Sequence, residues 1–213
     1  MIGAEAVAVD IELDSVVLPG ILTVPPEASG LVVFAHGSGS SRLSPRNALI
    51  AEAIQAEGMG TLLFDLLTEE EDLVYDNRFD IDLIANRLLG ATDWLPERPE
   101  ARSLTLGYFG ASTGAAAALK AAVHEPRVRA IVSRGGRPDL ALDVLPRVRA
   151  ATLLIVGSKD TIVIDLNRHA YNKLQCEKCM EIVPGASHLF EEPGTLEAVE
   201  QLAVAWFKEH LQP

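Results

Sequence analysis

The pentapeptide GASTG at residues 110–114 places one serine between two glycines, a pattern that can present a hydroxyl nucleophile. An apolar, strand-like run ends at Phe109, and an alanine-rich stretch with strong helix propensity begins at Ala115. At such a strand-to-helix turn the glycines avoid side-chain clashes, and the helix N-terminus directs N–H groups at developing negative charge. The same letters also occur by chance in ordinary turns, but this placement favours chemistry. The sequence therefore predicts Ser112 as the nucleophile of an acyl-transfer reaction.

A serine hydroxyl needs a general base, and His188 is the best candidate among the five histidines. It lies in PGASHLF at residues 184–190, a loop predicted between the last strand and the last helix. Such a loop can hold an imidazole above the carboxyl edge of a parallel sheet. His36, in an earlier loop, is expected to hydrogen-bond there. The remaining three lie at helix ends or within a helix, where structural roles are more common: His124, His169 and His210.

The base in turn needs an acid that fixes its tautomer and stabilises its cationic form. Asp160 follows the penultimate predicted strand, in VGSKD at residues 156–160, and gives the chain order nucleophile, acid, base. Asp65, at the end of an earlier strand, is the alternative acid, but it precedes the serine. Asp165 is expected to cap or open the following helix. The serine, Asp160 and the histidine form the predicted catalytic triad.

Two hydrogen-bond donors must stabilise the oxyanion of the tetrahedral intermediate. The backbone N–H of Thr113, directly after the nucleophile, is the first predicted donor. The second is expected from HGSGS at residues 36–40, where glycines allow the backbone to approach a ligand closely. Ser38 is the predicted residue, and Gly37 and Gly39 are the alternatives. No Gly-Lys-Ser/Thr follows, which argues against a phosphate-binding loop.

Short apolar runs alternate with helical patterns, which indicates an α/β fold with a mostly parallel sheet and helices on both faces. The whole chain, 1–213, is predicted to be one domain. About twenty residues separate Val132 from Thr152, too few for a helical lid. Strands are predicted at 7–13, 16–24, 31–35, 61–64, 104–109, 128–132, 152–156 and about 180–183, the first two as an antiparallel hairpin. Helices are predicted at 45–57 with Ser44 as N-cap, 81–95, 115–123, about 164–174 and 196–207.

Composition narrows the classes of partner. The chain has 18 Lys+Arg against 30 Asp+Glu, a net charge of −12, which argues against nucleic acid or an anionic membrane surface. No apolar run is long enough to span a bilayer and no signal peptide is visible, so a cytoplasmic location is expected. Cys176 and Cys179 form a lone C-x-x-C that predicts a structural role rather than a redox pair or zinc site. No metal and no cofactor is expected.

Four motifs together resemble the α/β-hydrolase superfamily, and more narrowly the dienelactone-hydrolase-like proteins, over about residues 16–210. They are HGSG, GASTG, the turn from Gly157 to Asp160, and GASHLF. The resemblance implies esterase chemistry without a lid domain. Dienelactone hydrolases proper use a cysteine nucleophile, whereas this chain has Ser112, so the resemblance does not carry dienelactone over as the substrate.

The predicted partner is a small-molecule ester substrate with an accessible acyl group, and the chain is expected to be a monomer or a homodimer. A thioesterase or lactonase would use the same triad, and a catalytically idle binding protein of this fold is the alternative outside enzymes. Arg134 and Arg137 are candidates for holding a substrate carboxylate, with salt bridges to the acidic loop at 69–72 as the alternative. The other candidate substrate contacts, each with loop or core packing as an alternative, are Leu66, Leu67, Tyr75, Phe79, Leu189 and Phe190.

Overall fold

An eight-stranded sheet organises residues 5–211, the part of the chain that the computed structural model describes. Its strand order is β1-β2-β4-β3-β5-β6-β7-β8, with β1 and β2 antiparallel to their neighbours and every later pair parallel. The predicted N-terminal hairpin and mostly parallel sheet are therefore confirmed. The strands are β1 (Ala6–Leu13), β2 (Val16–Thr23), β3 (Gly30–Ala35), β4 (Gly60–Phe64), β5 (Thr105–Ala111), β6 (Val128–Arg134), β7 (Ala151–Gly157) and β8 (Lys178–Val183).

Helices cover both faces of the sheet because the central strands are apolar on both sides. β3 and β4 are buried at every residue, as expected of strands between two helical layers. One face packs against α3, α4 and α5, and the other against α1 and α6. The helices are α1 (Pro45–Ala56), α2 (Glu69–Asp72), α3 (Ile81–Trp94), α4 (Thr113–Ala122), α5 (Thr161–Lys173) and α6 (Thr195–His210).

Several predicted boundaries were wrong by two or three residues: β5 and β6 each end two residues later than predicted, and three elements begin earlier. α4 begins at Thr113 instead of 115, because the turn through Ser112 leads straight into helical backbone. α5 begins at Thr161 instead of about 164, so Asp165 lies inside the helix rather than opening it. β8 begins at Lys178 instead of about 180. The acidic loop contains a helical turn, α2, whose N-cap Thr68 forms a capping box with Glu71.

The loops that carry the predicted site residues lie at one edge of the sheet, because each of them follows a parallel strand. The loops after β3, β5, β7 and β8 carry His36 to Ser40, Ser112, Asp160 and His188 respectively, and all four lie at the carboxyl edge. Between β6 and β7 there are only two short 3₁₀ turns, so the prediction of no lid is confirmed.

The opposite, amino edge of the sheet holds both ends of the described chain. Ala6 pairs with Thr23, which in turn pairs with Thr61 at the start of β4. Leu211, after α6, packs against the start of β3, where a Cβ on Gly30 would lie 2.8 Å from the Leu211 Cβ. Within residues 5–211, no helix has the length and apolar character that crossing a membrane requires.

Candidate active site

Ser112 occupies a strained turn between β5 and α4. Its φ is 50° and its ψ is −119°, a combination that L-residues rarely adopt and that costs about 1–3 kcal/mol when the fold imposes it. Both glycines of the pentapeptide are required here. A Cβ on Gly110 would lie 2.4 Å from the Ala115 Cα, and one on Gly114 would lie 2.1 Å from the Ala35 carbonyl oxygen. The sequence thus forces the serine to the half-buried tip of the turn.

Backbone hydrogen bonds to the loop after β6 hold this turn in place. The N–H of Ser112 donates to the Arg134 carbonyl at 3.2 Å, and the Ser112 carbonyl accepts from the N–H of Arg137 at 3.0 Å. The Ser112 carbonyl also accepts from the Ala115 N–H at 3.1 Å. With both backbone groups of the serine bonded, the strained conformation is fixed before any ligand arrives.

His188 and Asp160 are brought together as the sequence predicts. The imidazole Nδ1 lies 2.6 Å from the Asp160 Oδ2, the distance of a charge-assisted hydrogen bond. The side chains are 38% and 16% exposed, so the imidazole remains accessible while the acid is mostly covered. A proton held on Nδ1 leaves Nε2 as the basic nitrogen.

The ring of His188 also lies beside Gly135, in the loop after β6 that is hydrogen-bonded to the Ser112 turn. A Cβ on Gly135 would lie 3.5 Å from the His188 Nδ1 and 3.1 Å from its carbonyl oxygen. Within residues 5–211 no direct hydrogen bond joins the Ser112 hydroxyl to His188. Such bonds are often long without substrate and tighten in the complex.

Loops after β7 and β8 bind each other closely. The N–H of Lys159 donates to the Ala186 carbonyl at 2.9 Å, and the N–H of Gly185 donates to the Ser158 hydroxyl at 2.8 Å. A Cβ on Gly157 would lie 2.5 Å from the Ala186 carbonyl oxygen, so only glycine permits this approach. Asp160 and His188 therefore lie on two loops that are hydrogen-bonded to each other.

Glu192 is a positioning residue that the sequence analysis missed. Its Oε2 accepts the Ser187 N–H at 3.0 Å and lies 3.2 Å from the Ser187 hydroxyl, while Oε1 meets Lys159 at 3.2 Å. The bonds from backbone N–H groups, chiefly that of Ser187, hold the pKa of Glu192 down at about 2. Glu192 thus ties the residue before the predicted base to the loop of the predicted acid. Only its position four residues after His188 could have suggested this.

The loop after β3 faces the nucleophile. A Cβ on Gly37 would lie 3.2 Å from the Ser112 Cβ, so the backbone of Gly37 and Ser38 passes directly against the serine. The Ser38 N–H donates to the hydroxyl oxygen of Thr113 at 2.9 Å. Of the two predicted oxyanion donors, the Thr113 N–H has no acceptor among residues 5–211, whereas the Ser38 N–H already has one.

His36 hydrogen-bonds within its loop, as predicted. Its Nε2 accepts the Leu66 N–H at 3.1 Å, so its proton is on Nδ1, which lies 3.0 Å from the Gly37 carbonyl oxygen. Burial lowers the pKa of His36 and favours the neutral ring that this arrangement needs. The alternative acid, Asp65, is engaged elsewhere: it accepts the Arg42 N–H at 2.6 Å and pairs with the Arg42 guanidinium.

A profile of the dienelactone hydrolase family matches residues 19–211 of the chain. The chain belongs to the dienelactone hydrolase family. A crystal structure of a dienelactone hydrolase from Anabaena variabilis is 54% identical and superposes with a TM-score of 0.95, covering 99% of this chain and 100% of that one. Est1E from Butyrivibrio proteoclasticus, 15% identical over 95% of this chain and 98% of its own, shares the fold with a TM-score of 0.82.

Two Mycobacterium tuberculosis proteins, provisionally named as phosphoribosyl transferases, are 58% identical over 194 residues. The match covers 90% of this chain and 44% of each relative, so the chain spans less than half their length. More than half of each relative lies outside the match, and a name given to the whole protein does not identify the chemistry of this part.

In this member of the dienelactone hydrolase family, two of the predicted substrate contacts lie beside the loop after β3. Leu66 and Leu67 are 1% and 8% exposed and line a small pocket with Gly37, Ser38 and the guanidinium of Arg78. They are therefore close to the predicted oxyanion site.

The remaining apolar candidates are divided between the surface and the core. Tyr75 is 67% exposed and stacks on Phe79 at 5.2 Å between ring centroids, outside that pocket. Leu189 is exposed beside the predicted base. Phe190 is buried in the core cluster of α1 and α6, so the alternative of core packing holds for it.

Arg134, the last residue of β6, and Arg137, in the loop after it, have opposite environments. Arg137 binds Asp139 through two hydrogen bonds of 2.8 Å, so its acid partner comes from its own loop and not from the acidic loop. Arg134 is 8% exposed, and its buried Nη1 has no hydrogen-bond partner within residues 5–211. Burial and the nearby Arg46 lower the pKa of Arg134 to about 10, which leaves it charged at neutral pH.

Metal-binding groups are found in one place among residues 5–211, away from the triad. Glu177, Glu209 and His210 bring three ligand atoms within 4.8 Å of one another, but both glutamates are exposed and His210 pairs with Glu177 at 3.3 Å. Cys176 and Cys179 are both free thiols whose pKa values are raised by burial, which fits a structural role better than a reactive one.

Proposed function

We propose that this chain is a carboxylic-ester hydrolase that works through an acyl-enzyme on Ser112. The observation that carries the proposal is the convergence of a strained, accessible serine with a histidine–aspartate pair 2.6 Å apart at one sheet edge. Strained backbone conformations cluster at functional sites, and for a serine in this kind of turn the usual function is nucleophilic catalysis. Membership of the dienelactone hydrolase family supports hydrolysis as the reaction class.

In the proposed reaction the Ser112 Oγ attacks the acyl carbon while Nε2 of His188 accepts the hydroxyl proton. The carbonyl π bond becomes a C–O⁻ bond, and the oxyanion is stabilised by the Thr113 N–H and by the segment through Gly37 and Ser38. Collapse of the intermediate breaks the bond to the alcohol, which takes the proton from His188. Asp160 keeps the imidazole oriented and stabilises its cationic form throughout.

Deacylation repeats these steps with water as the nucleophile. His188 accepts one proton from the water, the hydroxide adds to the acyl carbon, and the intermediate expels the Ser112 alkoxide. The alkoxide takes the proton from His188, and a carboxylic acid leaves. Serine, histidine and aspartate are regenerated, so one ester and one water give one acid and one alcohol.

An open site without a lid favours small or accessible acyl groups. Only two 3₁₀ turns separate β6 from β7, and the pocket beside Leu66 and Leu67 is small. Arg134 is the better of the two arginines for a substrate carboxylate, because Arg137 already has a bidentate partner. Thioesters and lactones would react by the same route, and a panel of esters, thioesters and lactones of graded acyl length separates these classes.

The decisive experiment compares Ser112→Ala with Ser103→Ala, an exposed serine at the amino edge of the sheet. We expect Ser112→Ala to abolish hydrolysis of p-nitrophenyl acetate and labelling by a fluorophosphonate probe, while Ser103→Ala retains both. Mass spectrometry should place the label on Ser112. A wild-type chain that neither hydrolyses the panel nor takes the label would instead support an idle binding protein of this fold.

A further inference from the structure

The hydroxyl of Thr113, in the residue directly after the predicted nucleophile, is the acceptor for the amide of Ser38. The Ser38 N–H donates to the Thr113 Oγ1 at 2.9 Å, and the Thr113 residue is 2% exposed. Ser38 follows Gly37, on which a Cβ would lie 3.2 Å from the Ser112 Cβ. A side chain therefore occupies the acceptor position of the amide that would otherwise face the oxyanion directly.

The orientation of the Ser38 amide is fixed from behind. In a trans peptide the C=O and N–H point in opposite directions. The Gly37 carbonyl lies 3.0 Å from the His36 Nδ1 and accepts the Ser40 N–H at 3.1 Å, so the N–H of the same peptide points at Thr113. His36 is itself held by the Leu66 N–H at 3.1 Å. Rotation of this peptide toward another acceptor would break both bonds to its carbonyl.

The proton of the Thr113 hydroxyl has no acceptor within residues 5–211, although the hydroxyl oxygen accepts one bond. A hydroxyl that accepts from an amide is polarised and becomes a stronger donor in turn. Thr113 is the first residue of α4, so its own N–H also has no acceptor within the helix. This N–H points outward from the N-terminus of α4.

We propose that the Thr113 hydroxyl is the second oxyanion donor, and that the Ser38 amide acts through it rather than by direct contact. The oxyanion then receives the N–H and the O–H of one residue, with the Ser38 N–H polarising the hydroxyl. This proposal rests on the proposed function, because it assigns a donor to the oxyanion formed on Ser112. It replaces the direct role expected for Ser38.

The test is the pair Thr113→Val and Thr113→Ser in the full chain, assayed with p-nitrophenyl acetate. Valine keeps the shape and the β-branch but removes the hydroxyl, whereas serine keeps the hydroxyl. We expect Thr113→Val to lower kcat by about 10²–10³-fold with little change in KM, since the bond forms only in the transition state. Thr113→Ser should stay within about tenfold of the wild type.

A second readout separates oxyanion contact from a merely structural role. Affinity for a trifluoromethyl ketone inhibitor, whose adduct with Ser112 carries an oxyanion, should fall in Thr113→Val by about the same factor as kcat. Affinity for the corresponding methyl ketone, which binds without the adduct, should not. Thermal unfolding of both variants shows whether each is folded under assay conditions.

Opposite results overturn the proposal clearly. If the hydroxyl only blocks the Ser38 amide, Thr113→Val frees that amide and kcat is unchanged or rises. If the threonine is merely structural, valine and serine lower activity alike and the trifluoromethyl ketone loses no more affinity than the methyl ketone. Failure of the proposed function itself is recognised separately, because wild-type protein would then show no Ser112-dependent hydrolysis or fluorophosphonate labelling.

Discussion

Replacing Ser112 by glycine should stabilise the protein relative to replacing it by alanine. Both variants lose the hydroxyl, but alanine keeps a Cβ at φ 50° and ψ −119°, whereas glycine adopts this region without steric cost. Elsewhere in ordered backbone the same change from alanine to glycine destabilises by about 0.5–1 kcal/mol. The sign of the difference therefore reports on the strain at the predicted nucleophile.

The expected size follows from two opposing terms. Removing the strain of this sparsely populated conformation stabilises the folded glycine variant by about 1–3 kcal/mol. The greater conformational freedom of glycine in the unfolded chain lowers the free energy of unfolding by about 0.5–1 kcal/mol. We expect the glycine variant to be more stable than the alanine variant by about 1 kcal/mol.

Urea unfolding at pH 7.5 measures the difference, and thermal unfolding checks it. For a chain of this size, about 1 kcal/mol corresponds to roughly 2–4 °C in Tm. Ala117→Gly, in the buried interior of α4, is the matched control in which the same type of change must destabilise. The reasoning is refuted if Ser112→Gly is less stable than Ser112→Ala while the control behaves as expected.

Four further predictions address the acid, the buried arginine, the loop histidine and a core hydroxyl pair. Asp160→Asn should lower kcat about 10⁴-fold, because the amide favours the wrong imidazole tautomer, as ester hydrolysis assays would show. Arg134→Met should raise the free energy of unfolding by about 1 kcal/mol, measured in urea, because it removes a buried charge whose Nη1 has no hydrogen-bond partner within residues 5–211. Wild-type stability should fall as the pH drops below about 6.5, because the pKa of His36 is lowered in the folded state and the unfolded chain binds the proton more readily; His36→Asn should flatten this dependence in urea titrations at several pH values. Tyr108→Phe should cost about 1 kcal/mol of stability in urea, because it removes the buried 2.8 Å bond between the Tyr108 hydroxyl and Thr92.

Each of these predictions has a result that contradicts it. Full activity in Asp160→Asn would return the acid role to another residue. A loss of stability in Arg134→Met, with exposed Arg149→Met unchanged, would mean that the guanidinium has a partner in solution. An equal pH dependence in wild type and His36→Asn would assign the effect to other groups, and the carboxylates nearest to this ring are Asp65 and Asp72. Unchanged stability in Tyr108→Phe would show that the bond contributes nothing net.

Features that depend on local pattern could be read from the sequence. The central strands are apolar on both faces, and the two glycines around Ser112 mark a turn that no other residue fits. Asp160 and His188 follow strands whose carboxyl ends meet at one edge, so their meeting at 2.6 Å follows from topology. Nothing in that argument requires knowledge of how the loops fold.

Features that depend on loop conformation could not. The start of α5 is hard to predict because Thr161, Ile162 and Val163 are all β-branched, and such residues favour strand over helix. The bond from Ser38 to Thr113 joins residues 75 positions apart, and its direction depends on how His36 turns one peptide. Glu192 carries no motif, because its main partner is the backbone N–H of Ser187, a group that every residue except proline has.

The two ends of the described chain lie on the side of the sheet opposite the predicted active site. Ala6 begins β1 at the amino edge, and Leu211 packs on Gly30 at the start of β3. A second domain joined at either end would therefore extend from the edge of the sheet opposite the predicted active site. Such a fusion leaves substrate access to Ser112 unobstructed, and it makes this architecture suitable as an interchangeable unit within longer polypeptides. In the Mycobacterium tuberculosis relatives the matching region is 44% of the length, so each contains further chain outside that region.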